Sequence, residues 1–226
     1  MLQWFQNYLP NVIELFPDMI TALKETLLLV MVSGSISTLI GLPLGVTLVV
    51  TRPGHVLENK FIYSLVGKFI NVFRSIPFVI LLAAIIPVTR FIVGTTIGIK
   101  GALVPLVFGA TPFVARQIES ALLDIDAGVI EAAKSMGSSP FEIIYRVLLR
   151  EGLPGIIYAL TISNVSLIGF TAVAGTVGGG GLGDFAIRYG YQYFKTDVMA
   201  VTIIILMLLV TVIQNLGEIL QKKLSH

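Results

Sequence analysis

Residues 126–142 read Asp-Ala-Gly-Val-Ile-Glu-Ala-Ala-Lys-Ser-Met-Gly-Ser-Ser-Pro-Phe-Glu, a polar segment between two long apolar stretches. Asp126 can cap a short helix, and the alanines that follow it favour helix. Gly137 suits the position after the last turn, where φ is often positive. Ser139, followed by proline and then by Glu142, has the pattern of a capping box. The stretch predicts two helices that meet at a narrow glycine corner, which by itself also fits a plain connector between membrane spans.

The composition places this corner in a membrane protein. Hydrophobic residues make up 55% of the 226 residues and charged residues only 12%, whereas soluble domains carry about 25% charge. The mean hydropathy is +0.92. A net charge of +2 gives no argument for nucleic acid, and without cysteine the chain forms neither a disulfide nor a thiolate metal site. We predict an all-α polytopic membrane protein.

Five stretches are long and apolar enough to cross a bilayer as helices. The predicted spans are TM1 at 26–51, TM2 at 62–88, TM3 at 101–120, TM4 at 153–174 and TM5 at 198–217, with the glycine corner in a loop at 124–150. Residues 1–23 read as an interfacial helix. Gly41 and Gly45 favour close packing of TM1, and Pro77 should bend TM2. The uncharged part of TM3 is short, so we expect this helix inside the bundle, screened from lipid.

The Lys and Arg residues predict the orientation. With the N-terminus outside, ten of the 15 lie on the cytoplasmic flanks and five on the outer side. The positive-inside rule then places the loop 124–150 and the C-terminus in the cytoplasm.

Glu131-Ala132-Ala133, followed after three residues by Gly137, resembles the EAA loop of ABC importer permeases. In that family, the helix of this loop docks on a cytoplasmic ATPase. The family motif closes with Leu-Pro, where this chain has Leu149-Arg150. Five further segments are similar to the permeases of methionine ABC importers: Thr51–Gly54, Arg74–Phe78, Arg90–Gly98, Val147–Pro154 and Gly179–Gly183.

The resemblance implies an ABC type I importer permease fold in a bacterial cytoplasmic membrane. It implies a homodimer of this chain, two cytoplasmic ABC ATPase subunits that bind ATP and Mg²⁺, and an external methionine-binding protein, expected to be a lipoprotein. The substrate would be L-methionine, together with D-methionine. The chain itself would be a transport subunit with no enzyme activity and no cofactor. The residues implied in ATPase coupling are Glu131, Ala132, Ala133, Met136 and Gly137.

Two further groups of residues are candidates for function. Ser163, Ser166 and Phe170 fall on about one face of TM4 and could line the pathway, although such polar residues more often bond between helices. Gly181 and Tyr191 belong to a stretch that would face outward and meet the external partner. Gly178, Gly180 and Gly183 in this region also have the spacing of a dinucleotide-binding fingerprint. We reject that interpretation because no strand–helix–strand unit surrounds these glycines.

Other functions remain open at this point. A permease for another small polar solute would share these features, whereas an ATP-independent carrier or channel, or a membrane scaffold, would differ in ATP dependence. The chain has no phosphate-binding loop ending in Gly-Lys-Ser/Thr, so ATP hydrolysis requires a partner. We expect no buried Asp or Glu within a span, of the kind that ion-coupled carriers use. His55 and His226 have no neighbouring ligands that would suggest a metal site.

Overall fold

The computed structural model describes residues 9–224, which are mostly helical and contain no strand. The elements in chain order are α1 Pro10–Glu14, α2 Phe16–Thr51, α3 Lys60–Ser75, α4 Phe78–Ala84, α5 Ile86–Val93, α6 Gly98–Leu123, α7 Ala127–Ser135, α8 Pro140–Glu142, the π-helix π1 Ile143–Leu148, α9 Leu149–Glu151, α10 Leu153–Gly175, α11 Gly181–Phe185, the π-helix π2 Ala186–Gln192, and α12 Thr196–Leu224.

Four of the described helices are long and apolar enough to cross a membrane: α2, α6, α10 and α12. α3 and α4 pass the same test together, but this pair is sharply bent, so the described residues hold four spans, or five if the pair counts as one. α6 is the most enclosed, with 56% of its apolar window buried, against 33% for α2 and α10 and 11% for α12. The expectation that TM3 is screened is confirmed.

The stretch predicted as TM2, residues 62–88, is three helices instead of one. The first break follows Ser75, where Ile76 takes an extended backbone with φ −83° and ψ 121°. Pro77 causes this break, because its ring disfavours helical geometry at the residue before it. The second break lies at Ile85, between α4 and α5.

The start of α2 also differs from the prediction. This helix begins at Phe16, well before position 26, and Asp18 in its first turn stabilises the N-terminal end. Part of the segment predicted as an interfacial helix, 1–23, therefore belongs to a long membrane helix. Residues 1–8 of that segment lie outside the described residues.

The chain divides into two compact units, and each unit has its own hydrophobic core. Of the described residues, the first unit comprises 9–35, Pro77–Val107 and Asn164–Ile213, with Leu182 and Val198 in its core. The second comprises Ile36–Ile76, Phe108–Ser163 and 214–224, with Ile118 and Leu122 in its core. The glycine corner lies wholly in the second unit.

Gly41 and Gly45 bring α2 close to α6 within the second unit. A Cβ on Gly45 would lie 2.7 Å from the Ala115 carbonyl oxygen and 2.7 Å from Ile118 Cβ. A Cβ on Gly41 would lie 2.7 Å from Val114 Cγ1. These distances leave no room for a side chain, so the close packing predicted at both glycines is confirmed.

Candidate functional site

The helix α7 is closed at both ends by local hydrogen bonds. At its start, the Asp126 carboxylate accepts from the Gly128 amide at 2.6 Å. At its end, Gly137 has φ +81°, and its amide donates to the Lys134 carbonyl oxygen at 3.0 Å. The next amide donates to the Ala133 carbonyl oxygen at 3.1 Å, which completes a Schellman ending. The predicted cap and the glycine corner are both confirmed.

The second helix starts at once, with a complete capping box. The Ser139 amide donates to Glu142 Oε2 at 3.0 Å, and the Glu142 amide donates to Ser139 Oγ at 3.4 Å. The hydrogen bond from the Ser139 amide is the main cause that lowers the pKa of the Glu142 carboxyl, and the hydrogen bond from the Ser139 hydroxyl lowers this pKa further. With Pro140 at the first helical position, the box fixes the direction in which the chain leaves the corner.

One side of α7 packs into the core of the second unit. Ile130 and Ala133 are 8% and 3% exposed, and they join Ile118, Leu122 and Ile143 there. Ala133, predicted as a coupling residue, therefore lies inside this chain's own core. Its small side chain lets α7 pack closely, so its contribution is to position the helix.

The other side of α7 carries the remaining coupling candidates. Glu131, Ala132 and Gly137 are exposed, and the Met136 side chain is 79% exposed. Val129, Ala132 and Met136 recur at helical spacing, so they form one apolar stripe that faces away from the core.

Two aromatic side chains continue this apolar character beyond the corner. Phe141 and Tyr145 are each 78% exposed and lie about one helical turn apart. The coupling residues implied by the EAA motif end at Gly137, so these two aromatics were not predicted, although their spacing after a capping box was the available signal. Exposed apolar groups in such numbers mark contact sites for another protein or for the membrane. We call Val129, Ala132, Met136, Phe141 and Tyr145 the docking surface.

His55 lies half-buried in the turn between α2 and α3. Burial lowers its pKa below the ordinary value of 6.5, and the positive charges of Arg52 and of Lys134 on α7 lower it further. The native state therefore binds fewer protons than the unfolded state between the lowered pKa and 6.5. The contribution of His55 to stability is present above pH 6.5 and is lost as the pH falls through this window.

A Lys134→Gln substitution is expected to raise the pKa of His55, because it removes one of the two nearby positive charges. The measurement is an NMR titration of the imidazole ring in a His226→Gln background, which leaves a single histidine. Lys223→Gln serves as the control and should leave the titration midpoint where it is. An unchanged midpoint in Lys134→Gln would show that α7 does not act on this turn.

The three pathway candidates differ in exposure along α10. Ser163 is 5% exposed, and its hydroxyl donates to the Ala159 carbonyl oxygen one turn back at 2.7 Å. Ser166 and Phe170 are partly exposed and lie one turn apart. The Phe170 ring stacks on Phe78 with centroids 4.6 Å apart, so the aromatic candidate is held by α4 in this conformation.

The two outer-contact candidates have different environments. Gly181 is buried with φ +79°, and its amide donates to Glu25 Oε2 at 2.8 Å. The Leu182 amide donates to Thr26 Oγ1 at 2.8 Å, so α2 caps the start of α11. A Cβ on Gly181 would lie 2.7 Å from that same hydroxyl oxygen. Gly181 is thus a packing position, whereas Tyr191 is 68% exposed and accessible to a partner.

The expectation that no span holds a buried acid is wrong. Glu119 is 6% exposed within α6, where it forms an ion pair with Arg116. The i,i+3 spacing of opposite charges was visible in the sequence. Among the described residues, no group of three His, Asp or Glu could hold a metal ion.

Comparison with known proteins gives a consistent relationship. Residues 38–226 match the family described as binding-protein-dependent transport system inner membrane component. The chain is 49% identical over 208 residues to the probable D-methionine transport system permease protein MetI of Vibrio cholerae serotype O1, with 92% of each chain covered. It is 52% identical over 151 residues to the D-methionine transport system permease protein MetI of Escherichia coli (strain K12), covering 67% of this chain and 70% of that one.

Solved structures agree with the sequence matches. An inward-facing conformation of the MetNI methionine ABC transporter superposes with a TM-score of 0.90 at 44% identity, covering 96% of this chain and 99% of that one. An amino acid ABC transporter with histidines shares the fold, with a TM-score of 0.78 at 20% identity over 94% and 97% of the two chains. The predicted all-α ABC type I importer permease fold is confirmed. The chain belongs to the family of inner membrane components of binding-protein-dependent transport systems.

Proposed function

We propose that this chain is the transmembrane permease subunit of an ATP-driven ABC importer for methionine. The observation that carries the proposal is the likeness over nearly its whole length to MetI permeases and to the MetNI transporter. L-methionine and D-methionine are the proposed substrates, because the curated relatives are D-methionine transport permeases.

The docking surface is the proposed contact to a cytoplasmic ABC ATPase. Its support is the exposure of Met136, Phe141 and Tyr145 around a rigidly capped corner. Glu131, in the middle of α7, and Gly137, just beyond its end, are both exposed and would border this contact, while Ala133 holds the helix in place. ATP and Mg²⁺ would be bound by the ATPase, so this chain would have no cofactor and no enzyme activity of its own.

Transport requires a second copy of this chain. One chain would supply half of a pathway, and two copies would pair around a two-fold axis with two ATPases. ATP binding would draw the two α7 helices together, and rigid-body tilting would switch the pathway between inward- and outward-facing states. Ser166 and Phe170, with Ser163 next to them, are proposed to line that pathway when it opens.

An external methionine-binding protein, expected to be a lipoprotein, would deliver the substrate. The family description names a binding-protein-dependent system, which supports this partner. The proposed orientation has the N-terminus outside and the C-terminus in the cytoplasm, on the strength of the Lys and Arg distribution. Tyr191 would then lie on the outer side, where this protein docks.

A Tyr191→Ala substitution is expected to weaken docking of the binding protein by about three- to thirty-fold, the usual cost of removing an exposed interface aromatic. Binding-protein affinity for the complex in nanodiscs is the quantity to measure. Tyr158→Ala, a 53% exposed tyrosine near the proposed cytoplasmic end of α10 and outside the docking surface, is the matched control and should leave this affinity unchanged. Equal affinities in all three proteins would remove Tyr191 from the docking site.

The function itself is tested by uptake into proteoliposomes that hold the permease and its ATPase, with binding protein outside and ATP inside. Uptake of labelled L-methionine that requires ATP and is competed by D-methionine is the expected result. Uptake of another small polar solute in preference to methionine would contradict the substrate. Uptake that is independent of ATP would favour a carrier or channel.

A further inference from the structure

A partly buried polar network joins α6 to α3 within the second unit, with Glu119 at its buried end and Asn71 at its exposed end. The Arg116 guanidinium forms an ion pair with Glu119 and donates to Asn71 Oδ1 at 2.8 Å and to the Gly67 carbonyl oxygen at 3.3 Å. The side chains of Arg116 and Glu119 are 22% and 8% exposed. Charged groups inside a membrane protein are costly, so a network of this kind is a candidate for function.

The geometry of the network favours a link between two helices. Arg116 and Glu119 are one turn apart on α6, while Gly67 and Asn71 are one turn apart on α3. The guanidinium therefore holds the backbone and a side chain of α3 at the same time. A Cβ on Gly67 would lie 3.6 Å from the guanidinium, an ordinary van der Waals distance, so Arg116 packs directly against the α3 backbone at this position. The interface beside the network is closed by Leu48, Ile70 and Ala115, each with no exposure.

The same stretch of α6 is packed against the docking helix. Ile118 and Leu122 are 0% and 1% exposed, and they share a core with Ile130 and Ala133 of α7. α6 thus contacts α3 through its polar network and α7 through its apolar side chains. Any displacement of α7 that keeps this core intact moves α6, and the network then moves α3 with it.

We propose that the Arg116–Glu119–Asn71 network is the relay that carries movement of the docking helix α7 to α3. The proposal rests on the proposed function of an ATP-driven importer. Arg116 and Glu119 are positioning residues in it: they touch neither substrate nor ATPase, and they keep α3 in register with α6 while the docking surface moves. The two hydrogen bonds from Arg116 to α3 suit this task because directed, charge-assisted bonds tolerate little sliding, whereas apolar contacts alone allow helices to shift. Glu119 holds the guanidinium in place for these bonds.

The test is the double substitution Arg116→Met and Glu119→Met in the permease–ATPase complex. Replacing both members of a buried ion pair by apolar residues often leaves stability unchanged, so the variant should fold and assemble. We expect the ATP hydrolysed per methionine imported to rise about ten-fold, within the usual range of coupling between sites. The exposed pair Glu218 and Lys222, also one turn apart, provides the matched control. When both residues are changed to Met, the number of ATP molecules hydrolysed per methionine imported should stay at the wild-type value.

A second readout follows the helices directly. The chain has no cysteine, so Ser64→Cys on α3 and Ser120→Cys on α6 can carry a spin-label pair without further changes, in complexes where one permease copy is labelled. The distance between the labels should be the same with and without trapped ATP, and should become ATP-dependent in the Met double variant.

A double variant that imports with the wild-type ATP ratio and keeps a constant label distance would overturn the relay. The relay would also be overturned if the Glu218/Lys222 control variant showed the same rise in ATP hydrolysed per methionine imported. A wild-type complex that imports no methionine with ATP would refute the proposed function instead, and this result is visible before any variant is made.

Discussion

A Met136→Asp substitution is expected to abolish most ATP-driven uptake while leaving the permease folded. Met136 is 79% exposed and follows the last turn of α7, so its replacement disturbs no core contact. Within a docked complex, the carboxylate would have to leave water for an apolar cleft. Loss of a central anchor costs about 2 kcal/mol or more, which corresponds to roughly a thirty-fold weaker complex.

The measurement is twofold: ATPase recovered with the tagged permease, and uptake in proteoliposomes. Met136→Leu is the matched control, because it keeps the apolar volume and should retain both. Unfolding midpoints of the two variants should equal that of the wild type. Wild-type uptake by Met136→Asp would show that the docking surface does not contact the ATPase.

The second large effect is expected for Gly45→Val. The Cβ alone would lie 2.7 Å from both the Ala115 carbonyl oxygen and Ile118 Cβ, and neither atom is the free end of a flexible side chain. α2 and α6 would have to separate at the point where Ile118 enters the core that also holds α7. Overpacking of this kind costs about 3 kcal/mol, and the unfolding midpoint should fall by roughly 6–12 °C.

Gly169→Val provides the comparison for that effect. Gly169 also lies in the interior of a long helix, α10, but a Cβ there would meet nothing within 4 Å. The thermal midpoint of each variant in detergent is obtained from the fraction that stays monodisperse after heating. Equal midpoints for Gly45→Val and Gly169→Val would contradict the close approach of α2 and α6.

Local features of the fold follow from the sequence because neighbouring residues determine them. The Asp126 cap, the Ser139–Glu142 box and the positive φ of Gly137 depend on hydrogen bonds within a few residues. The short uncharged stretch of α6 likewise predicted its enclosure. For these elements, the local sequence is therefore enough to predict the structure.

Other features depend on contacts between distant segments. Ala133 and Met136 were both predicted as coupling residues, yet Ala133 is buried and Met136 is exposed. The core around Ile118 decides which side of α7 is packed. Gly181 looks like a surface turn until Glu25 and Thr26 of α2 are placed beside it.

The ion pair of Arg116 and Glu119 belongs to the same class. Its opposite charges suggest a solvated helix end, whereas in the structure the bonds from Arg116 to Asn71 and Gly67 join it to α3. Periodicity and composition carry no information on such an approach, since the partners lie more than forty residues away in the chain.

The central claim, that this permease docks a separate ATPase through the corner at Gly137, is tested most directly by purifying the tagged chain from native membranes in mild detergent. Mass spectrometry should find an ABC ATPase in a one-to-one ratio with the permease, and Met136→Asp should release it while Met136→Leu retains it. Recovery of the wild-type chain without any ATPase, under conditions that keep an established ABC importer intact, would contradict the claim.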